Sequence, residues 1–168
     1  MNILAIDPGT TQSGYCILNQ AYNPLDFGKV DNEKLVDDFH YLRWKYGVDA
    51  AVIEQLSSYG NAIGDSVLMT ALWSGRFNQK MLDDYGANFP IFYVKRKQYV
   101  TELTNNPKAK DSNVTRYLID RFEPNATNHG KGTKKNPSRF YGMSADAWQA
   151  CAISVWSMDN YLGNKAHI

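Results

Sequence analysis

Cysteine is nearly missing from this 168-residue chain: there are two, Cys16 and Cys151. Both sit in apolar segments, so they read as reduced core residues, and a disulfide framework is excluded. No apolar run reaches the length that crosses a membrane, which argues against a membrane partner. The N-terminus lacks a charged region followed by a signal core, so a soluble, cytoplasmic protein is expected. Histidine is scarce as well. Of the three, His40 lies on an amphipathic helix pattern, His129 in a basic loop and His167 in the tail, and none has metal-ligand spacing. There is no internal repeat. The length suits one domain spanning 1–168, with apolar content sufficient for a single core.

Net charge is also nearly absent, at +1, but that sum hides a division. Between Lys95 and Arg139, 11 Lys and Arg stand against 4 Asp and Glu, a local +7, while the remainder carries −6. This asymmetry fits a polyanion partner and predicts salt-dependent binding. The contributing side chains are Lys95, Arg96, Lys97, Lys108 and Lys110, then Lys131, Lys134 and Lys135. Simple solvation of helix faces is the alternative. Residues 124–140 read as a basic Gly/Lys-rich mobile loop.

Periodicity places the elements. Strands fall near residues 2–7, 13–19 and 25–30, followed by a helix with Leu35, Phe39, Leu42 and Tyr46 on one face. A short strand ends at Glu54. A long helix near 62–85 has apolar positions at Ile63, Val67, Leu68, Ala71 and Leu72, with Gly75 suggesting a close packing contact. Pro90 to Val94 is the last strand. Helices near 96–104 and 111–122 carry basic residues, and a final helix runs from about Ser144 to Leu162. Strands and helices in this order give an α/β fold with a central mixed sheet.

Three acids occupy unusual positions. Asp7 ends the apolar run Met1 to Ile6, Glu54 ends Ala50 to Ile53, and Asp146 enters the small, apolar helix Ser144 to Ile153. A carboxylate delivered to the end of a buried strand needs a cation or hydrogen-bond donors. In open α/β sheets ligands bind at that end. Together the three suit a hard divalent cation, Mg2+ or Mn2+, through oxygen. Two of them also have a plain structural reading: Asp7 as a turn residue of Asp-Pro-Gly, and Asp146 as an acid at a helix dipole behind a Ser144 cap.

In order along the chain, the Asp7-Pro8-Gly9-Thr10 hairpin, the Ile53-Glu54-Gln55 step, the basic stretch Val94 to Val100 with Lys108-Ala109-Lys110 and Asn113-Val114, and the late Asp146-Ala147 helix resemble the RuvC-type Holliday junction resolvases of the RNase H-like superfamily. The resemblance implies an RNase H-like fold with a central mixed five-stranded sheet flanked by helices. It implies that Asp7, Glu54 and Asp146 bind Mg2+ or Mn2+, two ions per site, for phosphodiester hydrolysis. Lys97 and Lys110 match the family's basic positions near the scissile phosphate. The implied partners are branched DNA, a four-way junction, and a second copy of the chain in a C2 homodimer joined largely through the 62–85 helix. The chain's brevity and its Lys-Gly insert look like a phage-encoded member, working in the cytoplasm of a bacterial host.

Two positions depart from the family pattern. Met143 stands where the family usually has a further acid, sometimes His, and a thioether is a weak ligand for Mg2+. A water or Gln149, one turn beyond Asp146, is the expected substitute. Ser57 stands where the family has a base-stacking aromatic, with Tyr59 the nearest replacement. The alternatives are a broader flap or branch nuclease of the same fold, and a junction-binding protein weakened in catalysis by Met143. Asp7 to Thr11 is also similar to the first phosphate loop of actin and sugar-kinase type domains, but those close two such domains over a nucleotide.

Overall fold

The computed structural model describes residues 1–57, 60 and 63–162. β1 (Asn2–Asp7), β2 (Gln12–Asn19) and β3 (Pro24–Asp31) form an antiparallel meander. β4 (Ala50–Gln55) and β5 (Ile91–Lys95) add in parallel beyond β1, giving the order β3-β2-β1-β4-β5. α1 (Asn32–Tyr46) returns the chain from edge strand β3 to β4, and α2 (Asp65–Tyr85) makes the crossover that the parallel pair β4–β5 requires. Then come α3 (Arg96–Thr104), α4 (Asp111–Phe122), the single turn α5 (Thr127–Gly130) and α6 (Ala145–Ser157). The last runs on as a π-helical turn, Met158–Leu162.

Side chains alternate across the sheet. Ile3, Ala5, Cys16, Leu18, Val52 and Val94 pack against α3, α4 and α6, whereas Leu4, Ile6, Ile17, Ala51 and Ile53 meet α1 and α2. β1 and β4 are apolar on both faces because helices cover both. Residues 147–157 of α6 are all buried, as its composition predicts. α1 buries Leu35, Val36, Phe39 and Leu42 and ends at Gly47, whose φ of 60° is left-handed. Both cysteines are free and buried.

α2 turns its aromatic face inward and leaves outside several of the apolar positions that the sequence marks. Leu68 and Leu72 are each 57% exposed, and Thr70, Trp73, Phe77, Met81 and Tyr85 form the buried side. The helix has two apolar stripes, and the aromatic one wins because it meets Phe39 edge-on, at ring-centroid distances of 5.9 Å from Phe77 and 6.4 Å from Tyr85. Gly75 has nothing within 4 Å of where a Cβ would stand, so the close contact expected there is not made within the chain.

In the 124–140 segment, Gly132 bridges Pro137 and the Ser138 hydroxyl donates to the Gly130 carbonyl. Arg139 donates to the carbonyls of Ala21 and Tyr22 in the β2–β3 turn. Phe140 is buried against Trp148, 4.8 Å between ring centroids. No helix among the described residues is long and apolar enough to cross a membrane.

Candidate active site

Alternation carries two of the acids to one face. Asp7 continues the Ile3–Ala5 side of β1 and Glu54 the Val52 side of β4, both toward α6. The parallel pairing Ile6↔Ile53 then sets Asp7 and Glu54 next to each other at the carboxyl ends of adjacent strands. The turn after Asp7 is tied down by buried polar groups. Gly9 N–H donates to Ser13 Oγ at 3.1 Å, Ser13 Oγ to Asn32 Oδ1 at 2.6 Å, and Asn32 Nδ2 back to the Gly9 carbonyl at 3.0 Å.

Asp146 arrives from α6. Asp7 is registered with Gly14 on β2, and Gly14 with Lys29 on β3, so the three share a face. A Cβ on Gly14 would stand 2.5 Å from the Asp146 carbonyl oxygen, so the first turn of α6 lies on that glycine. Lys29 forms an ion pair with the Asp146 carboxylate across it. The Ser144 side chain makes no capping hydrogen bond, so the simple cap reading is not realised there.

Burial and the neighbouring Glu54 push the Asp7 carboxyl up to about 8, against the pull of Arg96 and with smaller contributions from Asp146 and Asp111. Burial raises Glu54 too, opposed by a hydrogen bond from Tyr99 and by Arg96. Two adjacent carboxylates that destabilise each other's charge mark a site short of positive charge. Oxygen donors alone suit a hard divalent ion, so the residues fit Mg2+ or Mn2+. Among the described residues, however, no three His, Cys, Asp or Glu side chains are already gathered round one point. Asp146 is engaged with Lys29.

The basic residues divide into two groups. Lys95 ends β5 in register with Gln55, which brings the start of α3 to the carboxyl end of the sheet; Arg96 stands there beside Glu54 and Tyr99, whereas Lys95 lies on the other face of the sheet from Glu54. Arg96, Lys97 and Lys108 line one cleft with Val100, Pro107 and Ala109. Lys110 precedes Asp111, which pairs with Arg96. Lys131, Lys134 and Lys135 sit on a separate segment, whose Arg139 anchor lies at the β2–β3 turn and whose His129 and Gly130 line a cleft with Ser112 at the start of α4. Among the described residues no ion pair engages Lys95, Lys97, Lys108, Lys110, Lys131, Lys134 or Lys135.

Met143 is fully buried in the same core cluster as Phe140 and Trp148. Gln149 is at the site, its Oε1 accepting from Arg96 Nη1 at 3.3 Å and lying 3.4 Å from the Tyr99 hydroxyl. Tyr59 lies outside the described residues. Three participants escaped sequence reasoning: Lys29, Tyr99 and Asp111. Lys29 looks like any edge-strand lysine, and Tyr99 like an apolar position of α3. The one available signal was the Arg96-to-Tyr99 spacing of three on a helix, which makes them neighbours.

No protein-family model matches the chain, and no curated protein does. Solved structures do. RuvC of Thermus thermophilus in complex with a Holliday junction substrate is 15% identical over 93% of this chain and 92% of its own, with a TM-score of 0.67. A second structure of Thermus thermophilus RuvC is 14% identical over 97% of both chains, at 0.65. The yeast mitochondrial Holliday junction resolvase Ydc2 is 15% identical over 99% of this chain and 84% of its own, at 0.53. Identities this low speak for the fold alone. The chain therefore has the RNase H-like fold of the RuvC-type Holliday junction resolvases, a mixed five-stranded sheet flanked by helices.

Proposed function

We propose that the chain is a metal-dependent endonuclease that cuts branched DNA, acts on four-way junctions and works as a homodimer. The observation that carries this reading is the pairing of Asp7 and Glu54 at adjacent strand ends, desolvated and mutually repelling, with Asp146 laid against the same row. Such a row has a purpose if a cation completes it. Asp7, Glu54 and an Asp146 released from Lys29 would hold Mg2+ or Mn2+, two ions in this reading. When bound, the ions supply Lewis-acid chemistry: activation of a water and stabilisation of the leaving 3′-oxygen. The chain's own residues bind and orient the phosphodiester. Lys97 and Lys110 offset charge developing on the scissile phosphate, and Lys95, Arg96 and Lys108 extend the basic rim. Contacts of this kind read backbone shape more than base sequence.

The substrate and the dimer have separate support. The fold likeness to a resolvase in complex with a Holliday junction favours the junction. Paired nicks on opposite strands need two sites related by a twofold axis. Leu68, Ala71, Leu72 and Gly75, at helical spacing on the exposed side of α2, offer a self-complementary apolar strip for such a pairing. The fully buried thioether of Met143, a weak ligand for Mg2+, favours one second reading, a junction-binding protein with weakened catalysis.

The test is cleavage of a labelled synthetic four-way junction with and without Mg2+ or Mn2+, beside linear, flap and fork DNA, with Asp146→Asn as control. Symmetric paired nicks lost in the variant are the expected result. Equal cutting of flaps and forks would replace the junction with a broader branch substrate, and binding without cutting would favour the second reading.

A further inference from the structure

Tyr99 is fully buried, yet its hydroxyl sits in the middle of the charged site. Glu54 Oε2 accepts from it at 2.9 Å, and Arg96 Nη1 donates to its oxygen at 3.0 Å. The hydroxyl has one proton to give. Among the described residues its two possible acceptors are Glu54 Oε2 at 2.9 Å and Gln149 Oε1 at 3.4 Å, and both distance and charge direct the proton to Glu54. Arg96 is held in turn: its Nη1 reaches Gln149 Oε1, and its Nη2 pairs with Asp111. Gln149 is 4% exposed, and its Nε2 has no hydrogen-bond partner among the described residues. Its amide is thus oriented for what its oxygen contacts, at the expense of its own N–H group.

We propose that Tyr99, braced by Arg96 and Gln149, is a positioning residue that fixes the Glu54 carboxylate for cation binding. Tyr99 takes Oε2 and leaves Oε1 without a hydrogen-bond donor among the described residues. The rigid ring of a core tyrosine then sets the direction in which the carboxylate presents that oxygen. Glu54 is the penultimate residue of β4, with only Gln55 between it and residues 56 and 57 outside any strand, so the strand alone does not fix its rotamer. Arg96, one of the cations expected on DNA, has its guanidinium committed to Tyr99, Gln149 and Asp111 in the DNA-free protein.

This inference rests on the metal-dependent reading above, so its test reads metal binding and not cleavage. Mn2+ is titrated into the full chain without DNA, followed by electron paramagnetic resonance of the free ion. The unaltered protein, Glu54→Gln, Tyr99→Phe and Arg96→Lys are compared, with circular dichroism and thermal unfolding as checks of the fold. Outer-shell partners of metal ligands typically change affinity 10–100-fold. Tyr99→Phe is expected to weaken Mn2+ binding about tenfold or more with its unfolding temperature little changed, and Glu54→Gln to lose it. Arg96→Lys keeps the charge but not the planar fork, and is expected to weaken binding to a smaller degree. Should Tyr99→Phe fail to fold, Arg96→Lys decides. Mn2+ binding by the unaltered protein that is matched by the folded variants overturns the positioning role alone. No Mn2+ binding by the unaltered protein overturns the metal-dependent reading and the inference with it.

Discussion

A Cβ at position 14 would stand 2.5 Å from the Asp146 carbonyl oxygen and 2.9 Å from its carbonyl carbon. Those atoms are helix backbone and cannot swing aside, so any side chain there must push the first turn of α6 away from Asp7. Gly14→Ala is expected to cost about 1–3 kcal/mol, the range for forced overpacking. Junction cutting should fall with it, because Asp146 moves with the turn. Urea unfolding and a cleavage assay check the two effects. Wild-type stability together with wild-type cutting would mean that α6 does not need this approach. Lys29 belongs to the same row and reaches Asp146 over the missing side chain. The glycine thus serves two contacts, and neither is visible from its place in the hairpin.

Among the elements, α2 carries the clearest expectation. Its aromatic face is used within the fold, while Leu68 and Leu72 remain 57% exposed on the other. Leu72 is mostly exposed, so Leu72→Glu removes little internal packing and folding should be retained. Light scattering after size exclusion should show a monomer where the unaltered chain is a dimer, and paired nicks should become single ones. A dimer that survives the substitution would move the interface elsewhere. The 124–140 segment makes a second element-level case. Deleting Lys131 to Lys135 should flatten the dependence of log binding constant on log salt by about 2–3, since each phosphate contact contributes about 0.9. An unchanged slope would take this segment out of the DNA interface.

Across the whole molecule, stability and metal binding are linked through Asp7. Its carboxyl titrates at about 8 in the fold, against an ordinary 3.8. Between those values the folded state holds a proton that the unfolded chain has lost, so unfolding releases it. The metal-free protein should therefore lose stability as pH rises from about 4 to about 8. A divalent cation replaces that proton, so Mg2+ should restore stability most at the upper end of the window, and binding should tighten as pH rises. Thermal unfolding across this range, in EDTA and in Mg2+, is the measurement. Asp7→Asn should flatten the EDTA curve. A metal-free protein that grows more stable through the window would contradict the assignment.

Strand order of hydrophobicity was enough to locate β1, β2, β4 and β5 and to single out Asp7 and Glu54, because an acid that closes a buried strand stands out in one dimension. The uniformly apolar run around Asp146 likewise announced a buried helix before its partners were known. The basic stretch after Val94 came to the acids' end of the sheet because it directly follows β5, a consequence of chain order alone. The rest depended on contacts between residues far apart in sequence. Which stripe of α2 is inside was decided by Phe39, and Met143 took its place in the core cluster that holds Phe140 and Trp148. Lys29 and Tyr99 became parts of the site only when β3 and α3 met α6 over the sheet. A sequence records periodicity and chemistry along the chain, but a buried charge takes its counter-charge from whatever the fold brings within a few ångströms, and that choice belongs to the tertiary structure.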